Sequence, residues 1–299
     1  MNNKDIENIR KAGKIAREVK EYARRVVKKG ELLRDIADKI EAKIVELGGK
    51  WAFPVNLGIN EVTAHYIPAH DDVTVAGGLL KVDFGVQIDG WTADTAFSVD
   101  LESGEESEKN KKLIKSSEEA LANAIKAVEE GKGLGEIGAA IQMAAEKYNA
   151  NSIKNLSGHM IEQYALHAGL NIPNYDTGSP HVLDNGLYAI EPFITYGSGM
   201  VYDGKPSGIY EVRKVTGIGI RDSHAREVFE FILKEYETLP FCSRWLVKKF
   251  GTRALLSLSM IERTGALYQF ATLVEKSKSK VAQSEHTLLI TQGKVEVIT

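Results

Sequence analysis

The chain has 299 residues, 43% hydrophobic and 26% charged, with a formal net charge of −3. That composition belongs to a globular chain able to bury a large core, and the near balance of charge argues against whole-protein affinity for DNA or anionic lipid. A single cysteine, Cys242, excludes an internal disulfide, a CxxC redox pair and a cysteine-based zinc site. No run approaches the 18 apolar residues of a membrane span. Charges at Lys4, Asp5, Glu7 and Arg10 leave no room for a signal core, so a soluble, cytoplasmic chain is expected.

Ile6, Ile9, Ala12, Ile15, Ala16 and Val19 recur at helical spacing, and Leu33, Ile36, Ile40, Ile44 and Leu47 mark a second helix that stops at Gly48-Gly49. Trp51 to Ile59 is short, apolar and holds Pro54, which suits an edge strand or a loop. Two strands, Leu79–Ile88 and Trp91–Leu101, are joined by Asp89-Gly90, a strong hairpin signal. Helices are expected again at 105–130 and 134–148, then strands at 153–160, 186–191, 209–217, 285–290 and 294–298. A helical interruption runs from Ser223 to about Ile261, with Ser223 and Thr252 as candidate N-caps and Gly251 and Gly265 as helix ends. Helices, strands, helices, strands: the order is α+β, not alternating βαβ.

Two kinds of signal are set aside. Gly133-Leu134-Gly135-Glu136-Ile137-Gly138 matches GxGxxG, but the segment before it is helical, whereas a dinucleotide site needs a strand there. A glycine-rich link between helices is expected instead. His70, His181, His224 and His286 lack acidic or histidine partners at useful spacing and are expected to be structural.

With Asp89-Gly90 as the turn, Asp94 lies opposite Gly85, so Asp83 and Asp94 sit diagonally on one face, about 7–8 Å apart. Two unpaired carboxylates on a small or apolar face repel each other and are costly to bury. Either a cation lies between them or that face is solvated. Glu191, ending the apolar stretch LYAIE, and Glu285, in QSEHTLLI, add two more strand acids, and His159 adds an imidazole. Four carboxylates with one histidine suggest a metal site with too much negative charge for one divalent ion. Oxygen ligands with an imidazole suit Mn²⁺, Fe²⁺, Co²⁺ or Zn²⁺, and the chemistry open to such a pair is hydrolysis. His159 and His167 are eight residues apart, too far on a straight helix to meet at one metal. A turn near Gln163 would bring both to one cleft. His65, in NEVTAHYIP, is a third candidate, in a loop before the hairpin.

Together these residues resemble the methionine aminopeptidases of the pita-bread fold. The matching pieces are AFPVNLGINEVTAHYIP (52–68), KVDFGVQIDGWTADTAFSV (81–99), LSGHMIEQYALHAG (156–169), YAIEPF (188–193) and AQSEHTLLI (282–290). The resemblance implies a single catalytic domain over 1–299, with two divalent ions held by Asp83, Asp94, His159, Glu191 and Glu285. It also implies substrate-side histidines at His65 and His167, a proton shuttle at Glu191 and a methionine pocket lined by Phe53 and Leu166. Asp83 would help anchor the substrate's free amine. Plain core packing is the competing reading of Phe53 and Leu166. The segment between Glu191 and Glu285, with PFCSRWL at 240–246, looks like the helical, winged-helix-like insertion of type II enzymes, placed here at 223–282. The absence of a polybasic extension ahead of the catalytic part looks archaeal. One departure stands out: ITYGSGMVYDGKPSGIYEVRK lacks the further histidine of eukaryotic type II enzymes.

The function implied is removal of the first methionine from nascent polypeptides, with a small second residue preferred, by a monomeric enzyme. An Xaa-Pro peptidase shares the fold and ligands but usually carries a separate N-terminal domain. A non-catalytic, ribosome- or RNA-binding relative is the rival from another class. Residues 223–282 hold ten Lys or Arg and six Glu, a net +4 against −7 elsewhere, which makes a ribosome contact conceivable. Non-catalytic relatives have lost ligands, however, and all five are present here.

Overall fold

The structure is a computed structural model describing residues 1–299. Helices α1 (Asn3–Val26) and α2 (Leu33–Glu46) come first. The first is closed by a capping box in which Asn2 Oδ1 accepts from the Asp5 N–H and Asp5 Oδ2 accepts from the Asn2 N–H. Strands β1 (Lys50–Ile59), β2 (Val62–Ala64), β3 (Leu79–Ile88) and β4 (Trp91–Asp100) follow, then helices α3 (Gly104–Glu129) and α4 (Leu134–Glu146). Strands β5 (Asn151–Ser152), β6 (Ser157–Ile161), β7 (Asn171–Pro173), β8 (Gly186–Ile190), β9 (Phe193–Thr195) and β10 (Val201–Val212) complete the middle of the chain. The last part comprises α5 (Ser223–Glu235), β11 (Phe241–Cys242), α6 (Ser243–Phe250), α7 (Arg253–Glu262), β12 (Leu267–Glu275), β13 (Val281–Gln283), β14 (His286–Thr291) and β15 (Lys294–Val297). The class is α+β, as the element order implies.

Four antiparallel sheets result, ordered β1-β3-β4, β13-β9-β5, β15-β14-β8-β6-β7 and β11-β10-β12-β2. Alternation along β8 and β14 divides their side chains between two cores. Leu187, Ala189 and Leu289 join α1, α2 and the first sheet, whereas Tyr188, Ile190, Leu288 and Ile290 join α3 and α4. A third core lies under α5–α7 and takes in Ile67, Ile209 and Tyr210. Helix pairs thus back the strands on their outer sides.

Several expected boundaries move. The strand expected at 209–217 is β10, ending at Val212, and of the strand expected at 153–160 only the end is formed, as β6 from Ser157. Neither β10 nor β12 shows a clean apolar alternation, and each is held by pairing with the other from Val201↔Glu275 to Val212↔Leu267. Glu285 stands between β13 and β14, not inside a strand. The cap of α5 is Asp222, whose Oδ1 accepts from the Ala225 N–H at 2.8 Å, and Thr252 precedes α7 without a side-chain cap bond. The GxGxxG glycines open α4, where a Cβ on Gly135 or Gly138 would sit 2.7 and 2.0 Å from the backbone of Ser179 and Tyr175. They let the 173–180 segment lie against the helix.

Candidate metal centre and its cavity

The β3–β4 hairpin sets the first two carboxylates. Asp89 (φ 53°) and Gly90 (φ 77°) both take positive φ, the requirement of a two-residue type I′ turn. The turn fixes Ile88 opposite Trp91, Gly85 opposite Asp94 and Asp83 opposite Ala96. Asp83 and Asp94 therefore share a face diagonally. The Gln283 amide donates to Asp83 Oδ2 at 3.0 Å. The backbone of Asp94 is fixed by Thr287, whose hydroxyl accepts from the Asp94 N–H at 2.8 Å and donates to the Asp94 carbonyl at 2.7 Å.

Glu191 follows β8 directly and precedes Pro192, and its carbonyl accepts from the Asn174 amide at 3.3 Å. At Glu285 the backbone N–H donates to Ala96 O, while its carbonyl accepts from Thr95 Oγ1 at 3.0 Å and Lys20 Nζ at 3.3 Å. His159 lies in β6, opposite Ala189 of β8 and Asn171 of β7. Its Nε2 is 3.7 Å from both Asp94 Oδ2 and Glu191 Oε1. One ligand atom each from Asp94, His159 and Glu285 falls within 4.8 Å of the others. Strand geometry thus brings together residues that span most of the chain.

Burial dominates the electrostatics here. It raises Asp83 to about 6 and pushes Asp94, Glu191 and Glu285 well above the ordinary carboxyl range, with mutual repulsion adding to the latter three. Burial lowers His159 to about 3, reinforced by His167. Asp83 Oδ1, Asp94 Oδ1 and Glu285 Oε2 are buried and accept no hydrogen bond. Four buried carboxyl groups, three of them with orphaned oxygens, and one neutral imidazole on one cavity fit divalent cations and little else. The nearby ammonium groups are engaged elsewhere: Lys20 donates to a backbone carbonyl and a hydroxyl, and Lys81 to two backbone carbonyls, none to a carboxylate.

The segment after β6 does turn back, through Tyr164 (φ 57°) and a Glu162↔Ala165 bridge. The His159 and His167 ring centroids lie 4.4 Å apart as a result. Burial lowers His167 to about 4, and neighbouring His65 acts in the same direction. His65 adopts φ 60° just after β2, and its Nδ1 is 3.2 Å from the Ala271 carbonyl. A carbonyl only accepts, so Nδ1 carries the proton and the neutral ring presents Nε2 as an acceptor. Phe270 meets the His65 ring edge-on at 5.4 Å.

All nine residues singled out in the sequence line one cavity of about 230 Å³. Phe53 and Leu166 form a small cluster with Ala52, apart from the three large cores. Gly85 makes this possible: a Cβ there would stand 2.5 Å from the Phe53 ring. Sequence reasoning missed other parts of the wall, among them Ile209, Pro240 and Phe270, and the Asp83 partner Gln283. It also missed Asn56, opposite Asp83 on β1, whose Oδ1 is buried without a partner. An asparagine amid AFPVNLGI was a signal available for that residue. The wall residues, from three separated segments, left none.

Residues 7–230 match the model of metallopeptidase family M24. The methionine aminopeptidase of Pyrococcus horikoshii is 44% identical over 99% of this chain and 99% of its own. The structure of methionine aminopeptidase from Rickettsia prowazekii superposes with a TM-score of 0.70 at 24% identity, covering 100% of this chain and 98% of that one. A thermophilic Arx1 superposes with a TM-score of 0.84 at 16% identity, over 100% of this chain and 91% of that chain.

Proposed function

Because the chain belongs to metallopeptidase family M24, and within it to the methionine aminopeptidases, we propose that its cavity works as a two-metal site on peptides with a free amino-terminal methionine. The activity is metal-dependent removal of that methionine. One observation carries the reading of the site. Four buried carboxyl groups and a neutral imidazole line one end of a cavity beside an apolar pocket, and no lysine or arginine forms an ion pair with any of the four.

Asp83, Asp94, His159, Glu191 and Glu285 would hold two divalent ions, chosen among Co²⁺, Mn²⁺, Fe²⁺ and Zn²⁺. Such ions supply acidification of water and polarisation of the scissile carbonyl. The side chains do the rest. Glu191, buried beside the other carboxyl groups and ionised once ions are held there, would take up the proton of the attacking water and return it to the leaving nitrogen. Asp83 helps anchor the substrate's amine. Phe53 and Leu166 take the methionine thioether, which packs well on an aromatic ring. His65, with Nδ1–H committed to Ala271, offers Nε2 to the substrate's backbone N–H. His167 stands beside His159 on the same cavity and binds the scissile group from the other side.

The segment 223–282 serves as a type II insertion, one that supplies Pro240 and Phe270 to the pocket wall. The enzyme acts as a cytoplasmic monomer on nascent chains with a small second residue. No helix is long and apolar enough to cross a membrane. A transient ribosome contact would use Lys276 and Lys278, whereas Lys280 is committed to Glu106 and Asn110 on α3. Charge reversal of Lys276 and Lys278 should weaken co-sedimentation with ribosomes. No change would confine the insertion to the pocket.

The decisive experiment is metal analysis of protein purified without chelators, with assays on Met-Ala-Ser, Met-Pro and Ala-Pro peptides. About two ions per chain and cleavage of the methionyl peptides alone is the expected result. Cleavage of Ala-Pro would favour an Xaa-Pro peptidase, and metal-free protein with no cleavage would favour a binding role.

A further inference from the structure

The methionine pocket is a blind end: Ala52, Phe53 and Leu166 close it with side chains at most 8% exposed. Everything after the first residue of a substrate must leave by the open end. There a second cavity, of about 420 Å³, shares Asn155, Leu156, Ser157 and Asn171 with the first. The two cavities meet along these four residues.

This junction has a floor with a regular geometry. In the β6–β7 ribbon His159 pairs with Asn171 and Ser157 pairs with Pro173. Side chains at i and i+2 share a face, and so do cross-strand partners. His159, Asn171, Ser157 and Pro173 therefore lie on one face, leading from the metal centre towards the surface. Half-buried Ser157 and exposed Asn171 bring a hydroxyl and a carboxamide to the junction of the cavities, groups suited to a passing peptide backbone. Beyond them stand Lys154 and Tyr175, with the Lys154 ammonium 5.9 Å from the ring centroid. Lys154 is exposed, and its backbone is held by the bond from its N–H to Gly199 O. The acid next along the 173–180 segment, Asp176, has Oδ1 engaged by the Gly178 N–H.

We propose that the substrate chain runs out along this ribbon face, and that Lys154 selects an acidic side chain at its fifth or sixth residue. An extended peptide advances about 3.3 Å per residue. Same-face positions on a strand are two residues apart, so the second substrate residue lies near His159 and Asn171, the fourth near Ser157 and Pro173, and the next two beside Lys154 and Tyr175. The proposal rests on the aminopeptidase reading and adds a specificity determinant to it.

The test uses metal-loaded full-length enzyme and the peptides Met-Ala-Ser, Met-Ala-Ser-Ala-Glu-Glu and Met-Ala-Ser-Ala-Lys-Lys. At low salt the Glu peptide should have a kcat/KM about two- to fivefold above the Lys peptide, the range of an exposed ion pair. The difference should reside in KM and fade at about 1 M salt. Lys154→Glu should reverse the ratio. An unchanged ratio in Lys154→Glu overturns the proposal. Failure of wild type to cleave even Met-Ala-Ser would instead overturn the aminopeptidase reading. A second readout is independent of turnover. A Met-Ala-Ser peptide with a photoreactive group at its fifth residue should label the 154–157 and 171–177 segments, and labelling confined to α5–α7 would place the exit elsewhere.

Discussion

The β3–β4 hairpin and the β10–β12 ribbon face the same cavity, yet they are built on different terms. In the hairpin, one two-residue turn sets the register of ten residue pairs from Leu79↔Asp100 to Ile88↔Trp91. The ribbon slips register twice, between Asp203 and Pro206 and between Pro206 and Tyr210. Its wall residues, Ile209 and Phe270, are placed by the helices packed behind them. Charge is held by the regular element and shape by the irregular one. Metal ligands tolerate little displacement, whereas an apolar wall needs only the right volume.

The strongest way to break the charged half is Glu285→Ala. It removes a ligand and leaves Asp94 and Glu191 facing each other with less neutralisation. Metal content should fall, and kcat/KM should drop by more than about 100-fold, beyond the loss typical of outer-shell partners. Unchanged metal stoichiometry by elemental analysis would reduce Glu285 to a structural acid. Chelation of the wild type should abolish cleavage, with Mn²⁺, Fe²⁺ or Co²⁺ restoring it. The pH dependence of ion binding has a definite sign. Asp94, Glu191 and Glu285 have raised pKa values in the metal-free protein and must release protons when ions bind. Apparent affinity should therefore rise as pH increases from 6 to 8, with proton release visible by calorimetry in buffers of different ionisation heat. A flat profile would mean that these groups are already ionised without the ions.

Next in size is His65, which joins the two halves: its backbone follows β2, and its ring is held by Ala271 of β12. The neighbouring wall should tolerate its loss, but the reaction should not. His65→Asn is the better variant because asparagine accepts positive φ more readily than alanine. We expect kcat to fall roughly 10²–10⁴-fold with KM moving less, and metal content to stay at the wild-type level. Lost metal would make His65 a ligand. A rate within about threefold of wild type would make it structural.

Legibility followed the same division. The hairpin register and the diagonal of Asp83 and Asp94 were readable, because each follows from local turn chemistry or from charge that needs a partner, whereas the return of the chain between His159 and His167 was only a condition for their meeting. Phe53 and Leu166 were ambiguous, since an apolar residue in a pocket looks like one in a core. The separation of their cluster from the large cores is a fact of three dimensions. Strand β12 was missed because LYQFATLVE follows a helical stretch and shows no clean alternation, its register coming from β10. Pro240 and Gln283 carry no local signal at all. Each matters only through a contact with a distant segment.

A smaller effect is expected at the joint between the insertion and the rest. Arg244 of α6 is fully buried and donates to Glu41 of α2 through two nitrogens, at 2.6 and 3.0 Å, with further contacts to Asp38 and the Pro68 carbonyl. Trp245 Nε1 donates to the same Glu41 at 2.9 Å. Arg244→Ala leaves a buried carboxylate unpaired, which costs about 3–5 kcal/mol. The variant should melt well below wild type yet bind ions with unchanged stoichiometry, since no ligand touches this cluster. Arg244→Met combined with Glu41→Leu should recover much of the stability. If Arg244→Ala alone lost the ions, the charged half would depend on the insertion, and the division drawn above would fail.

The mildest change tests the one place where the regular element shapes the pocket. Gly85 sits opposite Asp94 in β3, and a Cβ there would come within 2.5 Å of Phe53 Cε1 and 2.8 Å of Ala52 Cβ. Gly85→Ala must move the Phe53 ring, because the strand backbone is pinned on both sides by β1 and β4. The strain of such overpacking is about 1–3 kcal/mol, and part of it should appear as weaker methionine binding. KM for Met-Ala-Ser should rise roughly threefold to tenfold, with kcat and ion content changing less, since Asp94 keeps its register. Phe53→Leu in the same chain makes room for the new methyl group. The double variant should regain stability and partly regain KM, although a leucine wall grips the thioether less well than a ring. If Gly85→Ala changed ion content more than KM, the new methyl would be pressing on Asp94, and Phe53 would belong to the core after all.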